Sequence, residues 1–318
     1  MLFQLSRKKR YANIEIKDHV IRFTEMKNSL PPKPDKIGEF LLPDGVIKNG
    51  EIKDRLTFEL IMEEAVEIWG IKRKTIQFLV PDQIIVVRKQ QIPSYLSVEE
   101  IKGYLYIELG SSIHLPFEDP ILDFTILNSN EEFHEVLLYA APENVINEYK
   151  DILEASKLKP ITADLSSLSL FRLYQLMNDT DQQENLMILK IDQSNATIGI
   201  YQKGLPIFIQ NEVLSHDEGI KHNDEDHINP LIEPLNDLID NIGRVIHFYK
   251  YNMMSGNADL NQIILTGDHP FMQLAFNKLN KQYSYRITHM NYEIEQVHAT
   301  EEVPTKYYAC IGLGLKEV

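Results

Sequence analysis

Tyr11-Ala-Asn-Ile-Glu-Ile-Lys-Asp-His-Val-Ile-Arg-Phe-Thr-Glu-Met26 decides the reading of the fold. Two short apolar-rich runs, Tyr11 to Ile16 and Val20 to Met26, flank the polar triplet Lys17-Asp18-His19, which predicts a β-hairpin. Working outward, Leu30-Pro-Pro-Lys-Pro-Asp35 reads as a stiff loop. A third strand is expected over Leu41 to Ile47, with a turn at Lys48-Asn49-Gly50. Residues 54–69 place Leu56, Leu60, Ile61, Ala65, Ile68 and Trp69 near helical spacing, and Gly70 suits the stop. Lys74 to Val80 then reads as a strand. The order is β-β-β-α-β.

The second half repeats that order without repeating the sequence. Strands are expected over Asn185–Ile191, Ala196–Tyr201 and Leu205–Ile209. An acidic loop, Ser215 to Asn229, precedes a helix from about Leu231 to Met253, whose apolar face is Leu231, Leu235, Leu238, Ile242, Val245, Ile246 and Tyr249. A strand over Gln262–Thr266 and a helix from near Pro270 follow. Between the halves lies an inserted module, about 86–161. Its strands are expected at 84–88, 121–127 and 135–140, and two helices, 97–109 and 142–156, cover one face. Two β-β-β-α-β units side by side are the architecture of the actin and sugar-kinase class. There a nucleotide lies in the cleft between the halves, and the first hairpin turn of each half holds its phosphates.

Composition narrows the function. The 318 residues suit two domains. No apolar window is long enough to span a bilayer, and the start Met1 to Arg10 has the wrong order for a signal peptide. The single cysteine, Cys310, excludes an internal disulfide and a Cys-rich metal site, so a cytoplasmic location is expected. Residues 1–89 carry 17 Lys+Arg against 13 Asp+Glu, whereas residues 90–318 carry 15 against 34. Such an acidic body repels nucleic acid and anionic lipid. Any membrane contact would use Leu2, Phe3 and Leu5 with Arg7 to Arg10. Only 14 glycines are present, and phosphate-cradling turns consume glycine.

A set of ordered segments carries a resemblance. They are Leu42-Pro-Asp-Gly-Val-Ile-Lys-Asn-Gly50, Ile92-Pro93 with Leu96-Ser97, and His114-Leu-Pro-Phe-Glu118 with Leu122-Asp-Phe124. Val136 to Pro142, Leu153-Glu-Ala-Ser-Lys-Leu-Lys-Pro160, Ala163-Asp164, Ile246 to Tyr249, Ile264 to Gly267 and Ile311 to Gly314 complete it. Through them the chain resembles the type IV pilus assembly PilM family, actin-like relatives of the cell-division protein FtsA, over nearly its whole length. The resemblance implies an α/β, actin-like (ribonuclease H-like, duplicated) fold. It also implies an inserted FtsA-type subdomain and a reduced second-half insertion. The expected domains are 1–85 plus 162–184, the inserted 86–161, and 185–318.

Departures from the family pattern matter as much. The family writes its phosphate turns with Asp-Ile-Gly and its adenosine motif with Ser/Thr-Gly-Gly. Here the first turn is Glu15-Ile16-Lys17-Asp18-His19-Val20 and the second is Lys190-Ile191-Asp192-Gln193-Ser194-Asn195. The adenosine motif reads Thr266-Gly267-Asp268. The resemblance therefore implies a degenerate nucleotide cleft formed by Lys17, Asp18, His19, Asp192, Ser194, Asn195, Gly267 and Asp268. No cofactor is expected, with ATP and magnesium as the alternative ligand.

The implied function is a cytoplasmic, non-enzymatic scaffold recruited to the inner face of the membrane. It would bind the short cytoplasmic tail of a PilN-like membrane protein. The module and the first unit are expected to form the partner groove, with Val86, Arg88, Ile92, Tyr95 and Leu96 as contacts, although such residues could equally be ordinary core. Self-association and peripheral membrane contact through residues 1–10 remain open. The alternative is an ATP-binding protein whose nucleotide state controls assembly of the pilus platform. A sugar or acetate kinase fits poorly, since it needs an intact phosphate turn and a catalytic carboxylate. His216, His222, Asp224, Glu225, Asp226 and His227 have metal-ligand chemistry, but their spacing reads better as a solvated loop. Asp18–His19 and Asp268–His269 are acid/base pairs without a nucleophile beside them. Tyr104, Tyr106, Tyr149, Phe248 and Tyr249 read as core rather than as stacking platforms.

Overall fold

The computed structural model describes residues 11–27, 31–178, 185–214, 232–297 and 302–316. The chain opens with β1 (Ala12–Ile16), β2 (Val20–Lys27) and β3 (Lys33–Leu41), then a small hairpin, β4 (Ile47–Lys48) and β5 (Glu51–Ile52). Helix α1 (Arg55–Trp69) and β6 (Thr75–Leu79) complete the first repeat. Next come β7 (Val86–Pro93), α2 (Val98–Ile107), β8 (Pro120–Ser129), β9 (Phe133–Pro142), α3 (Glu143–Ala155), β10 (Lys159–Asp164) and α4 (Ser166–Met177). The second repeat runs β11 (Leu186–Ile191), β12 (Asn195–Gln202), β13 (Leu205–Val213), α5 (Ile232–His247), β14 (Gln262–Thr266), α6 (Met272–Gln282) and β15 (Arg286–His289). A short helix, α7 (Tyr308–Leu313), ends the described chain.

Two compact units result. The first gathers Met1–Pro81, Asn144–Asp179 and Asn291–Val318; the second gathers Asp82–Glu143 and Thr180–Met290. The first unit's sheet has the order β10-β6-β1-β2-β3 and the second unit's has β13-β12-β11-β14-β15. In both, the first three strands of the repeat are antiparallel and the later ones join in parallel. The repeat expected from the sequence is thus a repeat of strand order and direction.

The third strand lies earlier than expected, over 33–41, in the stretch that reads as a loop. Proline misleads there. β3 is an edge strand, and a proline on an edge removes no ladder bond when its nitrogen faces outward. Pro34 sits at a register shift opposite Met26, and its carbonyl accepts the Val297 N–H on the outer side. The buried face of α1 also differs. Phe58, Met62, Ala65, Val66 and Trp69 are buried, whereas Leu56, Leu60 and Ile68 are exposed. Two apolar stripes compete at helical spacing, and Trp69 settles the choice by stacking on Phe23 at 4.6 Å. The Gly70 stop is as expected, and the other end gains a side-chain cap. Asp54 accepts the Thr57 N–H, and Gly70 takes φ 66° at the stop.

The inserted sheet, β7-β9-β8, is antiparallel, and its core joins Ile92, Ile101, Leu105, Ile113, Leu122, Val136, Leu138 and Ala140. Of the two helices expected over it, α2 contributes to that core. α3 does not; it lies in the first unit, where Tyr149 donates to the Gly50 carbonyl at 2.9 Å and meets Phe58 edge-on. β10 pairs with β6 in the same unit. The observed partition at 81/82 and 143/144 therefore differs from the expected module bounds of 86 and 161.

The C-terminal stretch also differs from the expected grouping with 185–318, because α7 packs in the first unit. A methyl on Gly312 would lie 2.0 Å from the Ser169 carbonyl oxygen, so only glycine permits this contact with α4. Cys310 sits fully buried against the Arg22 carbonyl, and burial pushes its thiol well above the usual range. Gly312→Ala is expected to destabilise the protein by about 1–3 kcal/mol through overpacking. Urea unfolding followed by circular dichroism measures it.

Candidate functional site

The two hairpin turns at the inner strands are built alike. In each, a tight turn closes by a backbone bond: Lys17 N–H to Val20 C=O at 2.9 Å, and Asp192 N–H to Asn195 C=O at 2.8 Å. In each, residues two apart along the strand carry opposite charge and project to the same side. Lys17 Nζ lies 3.5 Å from Glu15 Oε1, and both are buried. Lys190 Nζ lies 2.7 Å from Asp192 Oδ2, and both are buried. The polarity is reversed between repeats: acid then base in the first, base then acid in the second.

Lys190 has a second partner. Its ammonium donates to Asp82 Oδ2 at 2.8 Å, in the turn that leads into β7. Asp82, Lys190 and Asp192 form a buried acid–base–acid triad within the second unit. Removing one member of such a cluster typically costs about 3–5 kcal/mol, because a buried charge is left uncompensated.

Asp18 is occupied elsewhere. Its two carboxylate oxygens accept the Asn49 and Gly50 N–H groups at 2.9 and 3.0 Å. Those residues form the β4–β5 turn with φ values of 54° and 77°, which aim successive N–H groups at one anion. Gly50 in turn accepts from Tyr149. Burial, followed by the Asp18 charge, pushes the Tyr149 phenol well above its usual value. His19 is half-buried, and its carbonyl accepts the Leu42 N–H at 2.8 Å.

Near the third motif, Gly267 takes φ 116°, and a Cβ there would meet the Ile191 carbonyl oxygen at 2.1 Å. Glycine is required because β14 leaves its sheet against the backbone at the end of β11. Asp268 is half-buried. His269 is buried, donates its N–H to Ile191 C=O, and accepts the Phe271 N–H on Nδ1 at 3.1 Å. Its ring therefore serves the start of α6, which accounts for one of the acid/base pairs. Ser194 is half-buried and Asn195 buried; the Ser194 carbonyl accepts from Leu214.

The five expected partner contacts fall into two groups. Ile92 is 1% exposed in the module's own core, and Val86 and Leu96 pack against that core. Arg88 and Tyr95 point outward, Tyr95 being 81% exposed. Arg88 is exposed on β7. Of the aromatics, Tyr149 and Tyr249 are buried and Tyr104 is half-buried, whereas Tyr106 and Phe248 are exposed. Asp82 was missed by the sequence reading, and nothing in its local sequence marks it. Residues 1–10 and the stretch 216–227 lie outside the described residues. No cluster of three or more metal-ligating side chains occurs among the described residues, and none of their helices is long and apolar enough to cross a membrane.

Two five-stranded sheets of the same strand order and direction, each with an equivalent first turn, define an actin-like α/β fold. A protein of unknown function from Bacteroides thetaiotaomicron with an actin-like ATPase fold matches at TM-score 0.57 and 14% identity, covering 100% of both chains. The cytoplasmic domain of EpsL, an inner membrane component of the Vibrio cholerae type II secretion system, matches at 0.52 and 8%, covering 96% of this chain and 95% of that one. A chain of a PilM–PilN type IV pilus biogenesis complex matches at 0.80 and 15%, covering 97% of this chain and 98% of that one. Comparison with curated protein sequences gave no match. The profile of the type IV pilus assembly protein PilM matches residues 14–218, more than half of the chain, and the chain belongs to that family.

His269 gives a pH prediction. Burial lowers its basicity, only partly offset by Asp268. The folded state therefore keeps this ring neutral to lower pH than the unfolded chain. Below about pH 6.5 the unfolded chain takes the proton first, so this contribution is present above that pH and lost below it. His269→Asn keeps an acceptor for Phe271 without titrating. Its melting temperature is expected to fall less than that of the native chain between neutral pH and pH near 5, as read by thermal melts.

Proposed function

We propose that this type IV pilus assembly protein acts as a cytoplasmic scaffold whose nucleotide cleft is degenerate. The observation that carries the reading is Lys190, held between Asp82 and Asp192. A magnesium–phosphate group needs free carboxylates for the metal and open backbone N–H groups for the phosphate. The residues at these turns do not fit it. Asp192 is committed to Lys190, Asp18 to the Asn49–Gly50 turn, and Lys17 stands beside Glu15 where glycine would open the turn. Catalytic phosphoryl transfer would need those same groups, so the reading is non-enzymatic.

The partner we propose is the cytoplasmic tail of a PilN-like membrane protein, which would recruit the scaffold to the membrane's inner face. The similarity to a chain of a PilM–PilN complex supports it. So does the inserted module's surface. Tyr95, Val98, Tyr106, Ile107 and Ile121 are all exposed there and offer apolar contacts to a peptide. Of the five expected contacts, Arg88 and Tyr95 are available to a peptide, with Leu96 half-buried beside them.

Two measurements test this. Isothermal titration of the full chain with Mg-ATP is expected to give no binding tighter than about 10 μM, roughly −7 kcal/mol. Tighter binding would favour a nucleotide-controlled assembly protein instead. Arg88→Glu is expected to weaken capture of a PilN-like tail peptide at least tenfold, about 1.4 kcal/mol, with an unchanged thermal melt. Native affinity in the folded variant would move the contact away from β7.

A further inference from the structure

We propose that Lys190 is the resident cation of a buried carboxylate pair, and that through it the root of the inserted module is fastened to the end of β11. The inference rests on the second unit's own geometry and stands whether or not a pilus partner binds the module.

Three observations converge on it. First, Asp82 and Asp192 are far apart in sequence, yet both present an Oδ2 to one ammonium, at 2.8 and 2.7 Å. All three side chains are almost fully buried. Second, the positions are mechanically meaningful. Asp192 opens the β11–β12 turn, whereas Asp82 begins the single turn, Asp82–Ile84, that leads directly into β7. Third, a neutral clamp reinforces the same junction. Asn211 on β13 donates through Nδ2 to the Asp82 carbonyl at 2.7 Å and to the Ile85 carbonyl at 3.3 Å. The module's entry is thus tied to the second sheet by an ion triad from β11 and by an amide from β13.

Two carboxylates that share one cation repel each other once it is removed. Inside the protein that repulsion is screened far less than in water. Oxygen ligands of this type, brought within reach of one small centre, suit a hard divalent ion. Here a lysine ammonium, part of the chain itself, takes that place by ion pairing. The tether needs no soluble metal and no nucleotide, so the module is held constitutively. The junction behaves as a metal site whose ion has been replaced by a side chain.

The test is to remove that side chain and offer a metal. Full-length native chain, Lys190→Ala and Lys190→Ala/Asp192→Asn are melted in EDTA and in millimolar Mn2+. Lys190→Ala is expected to melt at least about 5 °C below the native chain in EDTA. It is expected to recover with saturable Mn2+, beyond any Mn2+ shift of the double variant. The native chain is expected to respond no more than the double variant does. A native chain with an excess Mn2+ shift would overturn the proposal, since the pair would already take metal. Native stability of Lys190→Ala in EDTA would also overturn it, and so would an Mn2+ response no larger than the double variant's.

Should Lys190→Ala fail to fold, Asp82→Asn decides through hydrogen exchange. Faster exchange over residues 82–93, with 186–191 still protected, is the expected result. Unchanged exchange over 82–93 would refute the fastening. The Mg-ATP titration above is a separate readout, so a failure of the scaffold reading and a failure of this one are distinguishable.

Discussion

A charge buried at the end of a central strand must find its opposite within the protein, and this chain meets that constraint at both of its equivalent turns. Glu15 and Lys17 flank the last residue of β1, and Lys190 and Asp192 flank the last residue of β11. Residues two apart on a strand face the same way, so each pair is preassembled by the pleat itself. Burial then makes the pairing obligatory, because an isolated buried ion is far costlier than a paired one. The consequence is chemical. The charged groups at each turn are directed at one another, and the turns form corners of the two sheets.

The same logic governs the groups around these corners. Asp18 supplies the anion for the two N–H groups that the Asn49–Gly50 turn presents, and Tyr149 on α3 closes the other side of that turn. His269 supplies an acceptor at the start of α6. Gly267 and Gly312 work by what they lack. Each allows one backbone to touch another, β14's exit against Ile191 and α7 against Ser169, at distances no Cβ would permit. Polar side chains and absent side chains thus fix the same corners by complementary means.

The inserted module shows how a small unit can be both self-contained and anchored. Its core is its own, from Ile92 and Leu122 to Leu138. Its attachment combines polar contacts through Asp82 and Asn211 with apolar packing of Leu127 against the second sheet's core. Its surface keeps large apolar groups such as Tyr95 and Ile107 in solvent.

The duplicated order of strands and helices was legible in the sequence because it depends on local periodicity. Alternating apolar runs, the Lys17–His19 turn, the Gly70 stop and the apolar stripe of α5 each specify structure within a few residues. The charged residues of the two turns were legible too, as residue types in the sequence. What those charges do was not. Lys190 finds Asp82 only when a turn more than a hundred positions away folds onto the second sheet. Leu56 and Leu60 satisfy helical spacing as well as Phe58 and Met62 do, and tertiary contacts such as Trp69 on Phe23 and Phe58 on Tyr149 choose between the stripes. Pro34 reads as a loop until β3 is known to be an edge. Sequence by itself determined the elements and their repetition, since backbone and pattern act over short range. Tertiary structure alone decided which charges are neutralised, which helix face is buried and where α3 and α7 dock, because each of these depends on partners brought together only by the completed sheets.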